Sequence, residues 1–380
     1  MALPASGTLS LNDIKTEFNG VNPIAMNAYY RGGAYTTSNN TSVPTSGAIS
    51  ISNFYGASNT VGTTWTQAAT YTLSTIDVFY NYVNKMVAYG NGKYVAVGSG
   101  TYHSAYSSDG DTWTISSALN SLMGTPYSVT FLNGSFVALA FGSSSAAKST
   151  DGVSWTGITI SASGFVPQGT TGITWNGTNF ITGSTTANTM LTSPDLAVWT
   201  ARNPPFSANA LESAFSKLYA IDAGYIVYFS SDSGATWSNT SLASLLGWST
   251  STTLYTITYN GTILLVTGFD LTVPSFGAIK AAKFDGTTWT DMSSYFNSVI
   301  SSGNKIWRVI WGGANWVMSL SSGAYVYTSL DLQTITNAPT ATSAVGASYT
   351  LSGLATNGSG QVVATAGFNS GGSTQFIKSP

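Results

Sequence analysis

The sequence predicts an all-β fold: a seven-bladed β-propeller of four-stranded blades, preceded by a small N-terminal module with a short helix. Three observations support this. A turn containing Asp and Trp recurs at nearly even intervals, pairs of short apolar strands lie upstream of its copies, and one Trp-containing segment near residue 65 stands apart from the others. Repeats of about 40–50 residues that contain four strands each are typical of propellers.

The repeated turn usually places a Ser two residues before an Asp, and a Trp four or five residues after it. A short carboxylate hydrogen-bonds the amides of a turn, and a Trp adds apolar area to a core. Residues repeated in this way rarely carry site-specific chemistry, so we interpret them as structural. They are Asp109, Trp113, Asp151, Trp155, Asp195, Trp199, Asp232, Trp237, Asp285, Trp289 and Asp331.

The spacing of this turn predicts how the ring closes. From Trp65 to Ile335, which replaces the last Trp, neighbouring copies lie 38 to 52 residues apart, with a mean of 45. The final repeat contains only three predicted strands, between residues 351 and 379. We expect its fourth strand from about residues 63–68, because pairing the first and last strands removes two exposed sheet edges.

Asn-Gly pairs join many of the strands upstream of the Asp turns. Because Asn and Gly adopt positive φ at low cost, each pair predicts a two-residue hairpin turn. The pattern is degenerate around residues 215–220. The pairs begin at Asn91, Asn133, Asn176, Asn260 and Asn357.

Composition excludes several classes of function. Only 7% of the residues are charged, against about 25% in an average protein. The net charge is −2 and no basic run is present, so nucleic acid is not an expected partner. No apolar run approaches the roughly 18 residues that span a bilayer. With no cysteine and one histidine, His103, the sequence supports neither a metal site nor a Ser-His-Asp triad, and we expect no cofactor.

The acids outside the repeated turn do not form a catalytic pair in the sequence. A glycosidase needs two carboxylates about 5–10 Å apart, whereas these acids are scattered over different repeats. We interpret them as solvated loop residues and predict no catalytic residue and no enzymatic activity. They are Asp77, Glu212, Asp222, Asp270 and Asp291.

Residues 1–58 form a separate unit in which one pattern occurs twice. Pro-Ala-Ser-Gly at residues 4–7 recurs as Pro-Thr-Ser-Gly at residues 44–47. So small a unit buries little surface by itself, and we expect it to dock on another copy or another protein. The alternative is a self-contained cap on the rim of the propeller.

A short helix is predicted within this module. Leu11, Ile14 and Phe18 have the spacing of one apolar helix face. Ser10 or Asn12 is expected to cap the helix, because both side chains accept hydrogen bonds from amides of the first turn.

The turn sequence resembles a known propeller repeat. Ser-Ser-Asp-Ser-Gly-Ala-Thr-Trp at residues 230–237 resembles the Asp-box (BNR) repeat of sialidase-like propellers, which implies a structural hairpin between the third and fourth strands of each blade. Sialidases also need three arginines around the substrate carboxylate. Here Arg31 lies outside the propeller and leaves only Arg202 and Arg308, so the resemblance does not extend to that activity.

The doubled Pro-x-Ser-Gly pattern resembles the N-terminal module of many tailed-bacteriophage virion proteins. This resemblance implies a structural protein of the tail, baseplate or outer surface, joined to other virion proteins through residues 1–58. The sequence begins without the charged and apolar regions of a signal peptide, which favours assembly in the host cytoplasm and a final location in the virion. An oligomer is compatible with this role.

Long loops on the side opposite the Asp turns carry aromatic residues beside Ser, Thr and Asn. Flat rings stack on sugars, so the leading hypothesis is a rigid scaffold that also binds host surface polysaccharide or a receptor. The alternatives are that the rings pack beneath the loops, that the protein is a polysaccharide-degrading depolymerase, or that it is a purely architectural spacer. The candidate glycan-binding residues are Phe79, Tyr80, Tyr82, Phe206, Trp248, Phe276 and Tyr295.

Overall fold

The structure is a computed structural model. It describes residues 3–379 apart from 5, 19, 21, 24, 32–34, 37–39, 41, 56, 58–61, 74–84, 141, 163–171, 185–187, 273–276, 346–348, 359 and 369–373. The helices are Leu11–Glu17 (α1), Leu242–Leu246 (α2), Ser293–Asn297 (α3) and Thr340–Val345 (α4), with 3₁₀ turns at Met26–Tyr29 and Ile51–Phe54.

The described residues form seven antiparallel sheets of four strands each, which confirms the predicted seven-bladed propeller. Blades I to VI are β2–β5, β6–β9, β10–β13, β14–β17, β18–β21 and β22–β25, and blade VII combines β26–β28 with β1. In chain order the strands are Thr66–Leu73 (β1), Val87–Gly90 (β2), Lys93–Val97 (β3), Ser104–Ser107 (β4), Thr114–Ser116 (β5), Pro126–Leu132 (β6), Ser135–Ala140 (β7), Ser145–Ser149 (β8), Thr156–Thr159 (β9), Ile173–Trp175 (β10), Phe180–Gly183 (β11), Met190–Ser193 (β12), Thr200–Arg202 (β13), Ala210–Ala214 (β14), Lys217–Ile221 (β15), Ile226–Ser230 (β16), Ser238–Ser241 (β17), Thr252–Tyr259 (β18), Leu264–Asp270 (β19), Ala278–Phe284 (β20), Trp289–Asp291 (β21), Ile306–Trp311 (β22), Trp316–Leu320 (β23), Val326–Ser329 (β24), Thr336–Asn337 (β25), Tyr349–Thr356 (β26), Val362–Phe368 (β27) and Thr374–Ser379 (β28).

The first strand of each blade lies innermost. The strands β2, β6, β10, β14, β18, β22 and β26 each contact the next, and β26 contacts β2, so they enclose a central channel. Because neighbouring strands are antiparallel, the first-to-second and third-to-fourth hairpins share one side of the ring, here called the turn face. The second-to-third connections and the connections between blades lie on the opposite side, the loop face.

The ring is closed by β1, which pairs with β28. Thr66 lies opposite Lys378 and Leu73 opposite Thr374. The closing strand therefore begins three residues later than the predicted start at residue 63, and it contains a bulge between Gln67 and Thr72. Closure by a strand from before the first full blade is as the sequence predicts.

Asp111 of blade I holds the bulge in place. One of its carboxylate oxygens accepts a hydrogen bond from the backbone amide of Ala69 at 2.6 Å, and the other lies 2.7 Å from the ammonium group of Lys378. The hydrogen bond from Lys378 lowers the pKa of Asp111 below its usual value. A single side chain of blade I thus contacts both strands of the closing ladder.

The seventh turn is divided between distant parts of the chain. In blade II, Ser149 Oγ accepts a hydrogen bond from the backbone amide of Gly152 at 2.8 Å. In blade VII the same bond runs from the amide of Gly62 to Ser379 Oγ at 3.1 Å, and the indole nitrogen of Trp65 donates to the Gly62 carbonyl at 2.7 Å. Two segments 317 positions apart therefore rebuild one turn.

The inner hairpin turns are of two kinds, so the prediction of two-residue Asn-Gly turns was right for only some of them. At Asn91-Gly92 and Asn133-Gly134 both residues have positive φ between directly paired strand ends. At Asn176 and Asn260 the loop is longer, and the side-chain oxygen of each Asn accepts hydrogen bonds from two backbone amides. Phe215-Ser216 forms a two-residue turn with positive φ at both positions and no Asn-Gly.

The N-terminal module has two matching halves. Ser10 caps α1 through a reciprocal capping box with Asp13, and Ser50 forms the same box with Asn53 at the second 3₁₀ turn. In each Ser-Gly turn the glycine carbonyl accepts a hydrogen bond from the hydroxyl of a tyrosine in another part of the module. The doubled sequence pattern therefore produces a doubled local structure.

The module also has a core of its own, which is more than its size led us to expect. Phe18, Tyr29 and Phe54 are almost completely buried and contact one another edge to face. Leu11, predicted to share the buried helix face, is instead partly exposed, and Leu9 joins the core from the segment before the helix.

Candidate functional site

The Asp residues of the repeated turn are occupied by their own hairpins. Asp151 accepts hydrogen bonds from the amides of Val153 and Ser154 at 2.8 Å each, and these bonds lower its pKa to about 2. Carboxylates bound in this way brace the turns. Equivalent contacts are made by Asp109, Asp195, Asp232, Asp285 and Asp331.

The Trp residues of the repeat pack within and between blades. Trp113 of blade I stacks on Phe376 of blade VII with ring centroids 4.0 Å apart, and Trp289 stacks on Phe284 at 4.9 Å. Ile335 is buried at the Trp position of blade VI. The remaining members of this column, all buried or half-buried, are Trp65, Trp155, Trp199 and Trp237.

The candidate glycan-binding aromatics differ in position. Phe206 stacks on Tyr228 with centroids 3.8 Å apart, and the indole nitrogen of Trp248 donates to Asp291 at 2.9 Å. Both rings are buried, so they fill the space beneath the loops and are not platforms for a sugar. Tyr295, in α3 on the loop face, is exposed. Phe79, Tyr80, Tyr82 and Phe276 lie outside the described residues.

The interpretation of the remaining acids as solvated loop residues was wrong for Asp270, which is buried, and for Glu212, which lies within a strand. Asp222 is half-buried in a loop and Asp291 is exposed, but both are engaged locally. The Asp222 carboxylate accepts hydrogen bonds from a backbone amide and from a tyrosine hydroxyl of its own hairpin. The Asp291 carboxylate accepts a hydrogen bond from the backbone amide of the first residue of α3. Asp270 is buried and lies 3.9 Å from the ammonium group of Lys280. These acids hold local structure, and Asp77 lies outside the described residues.

Glu212 occupies a different position, on the innermost strand β14. Its carboxylate accepts a hydrogen bond from the adjacent Ser213 amide at 3.1 Å. Burial raises its pKa, while the positive charge of Lys85 acts in the opposite direction. Because Lys85 precedes β2 in blade I and Glu212 lies in blade IV, this interaction crosses the central channel.

A cavity of about 190 Å³ lies in that channel. Residues from the innermost strands of six blades line it, together with Lys85 and with Gly172, which directly precedes β10 of blade III. Lys85, Gly172 and Ala210 stand at or just before the beginning of their strands, whereas Thr258 and Ile310 stand one residue before the end of theirs. The cavity therefore extends along the channel between the two faces. Lys85 is exposed, so the cavity is in contact with solvent at the end where Lys85 lies.

Arg308 supplies the second positive charge of the cavity wall. It lies on β22, is only 8% exposed, and donates to the backbone carbonyls of Ser352 and Trp307 at 3.3 and 3.2 Å. Burial lowers its pKa to about 9, which leaves it charged at neutral pH. The cavity therefore has two cationic residues in its lining, and the described lining includes no acid.

Sequence reasoning missed the cluster of charged residues in the channel, which consists of Lys85, Glu212 and Arg308. The local signal was an arginine inside an otherwise apolar strand, Ile-Trp-Arg-Val-Ile-Trp at residues 306–311. A charged side chain is costly to bury, so a cation in such a run marks a position where structure or function requires it.

The described part of the chain contains no group of three or more His, Asp or Glu side chains placed to hold a metal ion. Within the same residues, none of the helices has the length and hydropathy that crossing a membrane requires.

Comparisons with known proteins support the propeller fold. YCF48 from Cyanidioschyzon merolae is similar with a TM-score of 0.56 and 17% identity, over 83% of this chain and 98% of that one. Virginiamycin B lyase from Staphylococcus aureus is similar with a TM-score of 0.58 and 10% identity, over 80% and 97%. A GH74 enzyme from Niastella koreensis matches with a TM-score of 0.50 and 15% identity, over 70% and 47%. No protein-family model and no curated protein matches the sequence. At these identities the likeness concerns the fold alone.

Proposed function

We propose that this chain is a structural protein of a tailed-bacteriophage particle, located in the tail, in the baseplate or on the outer surface. Residues 1–58 attach it to other virion proteins, and the propeller is a rigid scaffold without catalytic activity. The observation that carries the proposal is the doubled Pro-x-Ser-Gly pattern of the module. Its support in the structure is the pair of matching capped turns into which the pattern folds.

The module offers equivalent contact points to a partner. Leu11 and Ile51 are the first residues of the two matching helical turns, and both are partly exposed. Exposed apolar side chains on a unit with its own core suit protein contact. We place the attachment surface around these two residues.

The test is localisation in the intact particle. An antibody raised against the full chain should label purified phage particles in immunogold electron microscopy, at one consistent position. Particles that carry no label and lack the chain in mass spectra, while the protein stays in the soluble lysate, would refute the proposal.

Binding of host surface polysaccharide by the loop face is the second part of the proposal. Its described candidate is Tyr295, which is exposed on α3. The full chain is expected to bind host envelope preparations, and Tyr295→Ala to weaken that binding. Leu330→Ala is the matched control, since Leu330 is equally exposed but lies in the Asp turn of blade VI on the opposite face. Equal effects of both variants would contradict a loop-face site.

A depolymerase would release sugar from host capsule, whereas a scaffold would not. The structure favours the scaffold, because the acids that it describes outside the channel are engaged in turns, a helix start and an ion pair. Reducing ends released from capsule by the full chain would contradict the proposal.

A further inference from the structure

The charged residues of the channel stand out because the protein is so poor in charge. Most described acids of the propeller have a local partner. The carboxylates of the repeated turn accept hydrogen bonds from amides of the same turn, Asp111 contacts Lys378, and Asp270 contacts Lys280. Lys85 forms no hydrogen bond or close ion pair among the described residues, and its charge acts on Glu212 from across the channel. It lines the channel cavity together with Arg308.

We propose that the channel cavity binds a small hydroxylated carboxylate, such as a single uronic acid unit or a hydroxy acid. The carboxylate lies between Lys85 and Arg308, and the hydroxyl groups face the threonine side chains and strand edges of the wall. This inference does not rest on the proposed function, since it concerns the channel and not the particle.

The electrostatics of the cavity favour an anion. Arg308 is almost completely buried, and an ionic interaction in a site shielded from water is several times stronger than the same interaction at the surface. Its Nε and Nη1 groups donate to the carbonyls of Ser352 and Trp307, so Arg308 contributes a positive charge that is fixed in position. Glu212 lies one residue beyond the lining Leu211 and balances part of the charge of Lys85, which leaves an excess of positive charge at the cavity.

The wall explains why the anion should carry hydroxyl groups on a short carbon skeleton. Thr130, Thr256 and Thr258 line the cavity beside apolar residues such as Val129 and Leu211. The Thr256 hydroxyl bonds to that of Thr267 and the Thr258 hydroxyl donates to the Val309 carbonyl. Of the three hydroxyls only that of Thr130 is buried without a hydrogen-bond partner in the described structure, and a ligand hydroxyl that supplies the missing bond would stabilise it.

The volume limits the ligand to one small unit. A cavity of about 190 Å³ is smaller than the roughly 300–1,000 Å³ of sites that hold drug-sized molecules. An oligosaccharide would have to leave all but one terminal unit outside the cavity.

Calorimetric titration of the full chain tests this proposal. The probes are D-glucuronate and D-lactate, and D-glucose and D-glucosamine are the neutral and cationic comparisons. We expect saturable binding of at least one of the two carboxylates, and binding at least tenfold weaker for glucose and glucosamine. Each tenfold change corresponds to about 1.4 kcal/mol.

Two lysine variants of blade I locate the site. Lys85→Met should weaken carboxylate binding at least tenfold, since it removes a charge from the cavity and its exposed position tolerates the change. Lys93→Met, at the turn face of the same blade, should leave binding unchanged. No saturable binding of either carboxylate, equal binding of glucose, or equal effects of the two variants would overturn the proposal.

Discussion

At the scale of single residues, the hairpins depend on a left-handed backbone position that follows the turn Asp. Gly110 and Gly152 occupy it with φ of +70° and +71°, whereas Leu196 and Leu332 adopt +65° and +63°. A leucine in this conformation costs roughly 1–2 kcal/mol, and burial of its side chain contributes about 1.5–3 kcal/mol. Both leucines are buried, so packing offsets the strain.

A substitution at Gly152 measures crowding at this position. A Cβ there would lie 2.4 Å from a methyl group of Val95 in blade I. We expect Gly152→Ala to lower the free energy of unfolding by about 2–4 kcal/mol, from strain and overpacking together, as measured by urea denaturation. Gly92→Ala is the control, because Gly92 has φ of +76° and no neighbouring atom within 4 Å; it should cost only about 1 kcal/mol. Equal losses would contradict the crowding.

Asp111 makes ring closure sensitive to pH. Its pKa is lowered in the folded protein from an ordinary value of 3.8. The ionised carboxylate therefore stabilises the fold above that value, and the contribution is lost as the pH falls through the lowered pKa. Asp111→Asn should reduce the free energy of unfolding by about 1–2 kcal/mol at neutral pH, and by much less at about pH 2. A loss that is the same at both pH values would exclude a role for the charge.

At the scale of elements, the N-terminal module folds around three rings. Phe18 lies 6.5 Å from Tyr29 and 6.0 Å from Phe54, measured between ring centroids. Removing a buried Phe side chain costs about 3–5 kcal/mol, which exceeds what so small a core supplies. We therefore expect Phe18→Ala to unfold residues 1–58 and to leave the propeller folded.

Limited proteolysis followed by mass spectrometry measures this. Phe18→Ala should be cleaved within the first 58 residues, while a fragment from about residue 59 to 380 persists. Leu11→Ala, which changes a partly exposed side chain of the same helix, should be cleaved like the unaltered chain. Simultaneous loss of both parts in Phe18→Ala would show that the module and the propeller fold as one unit.

The strand pattern was predictable because each Asp turn carries its own chemistry, whatever the lengths of the loops around it. The inner turns were harder to predict. The side chains of Asn176 and Asn260 hydrogen-bond the backbone of their turns, and only the glycine after each has positive φ. The two kinds of turn look alike in sequence. Phe215 accepts positive φ while its ring packs against Tyr259 and Phe284, contacts that no local pattern reveals.

The channel cluster was not predictable for a different reason. Lys85, Glu212 and Arg308 belong to blades I, IV and VI and meet only because the ring places their innermost strands around one axis. In the sequence Glu212 resembles the other acids outside the repeated turn. Glu212 differs from those acids because it lies near the charged residues of other blades, and the closed ring alone brings these residues together.

At the scale of the whole molecule, closure joins segments more than 300 positions apart through the ladder of β1 and β28 and the bond from Gly62 to Ser379. Opening the ring would expose two sheet edges, and unpaired edges invite aggregation. It would also separate the strands that line the channel. The stability of the propeller and the integrity of the channel cavity therefore depend on the same contact.

A disulfide across the closing ladder tests ring closure most directly. Thr66 and Lys378 are directly opposed, and opposed residues of antiparallel strands have Cα atoms about 4.5–5.5 Å apart, within the range that disulfides span. The chain contains no cysteine, so the Thr66→Cys, Lys378→Cys double variant has one bond to form. We predict an intramolecular disulfide on oxidation, seen as faster migration on a non-reducing gel, and none in a Thr66→Cys, Lys93→Cys control. Failure of the first pair to form the bond, or equal oxidation of both pairs, would contradict closure.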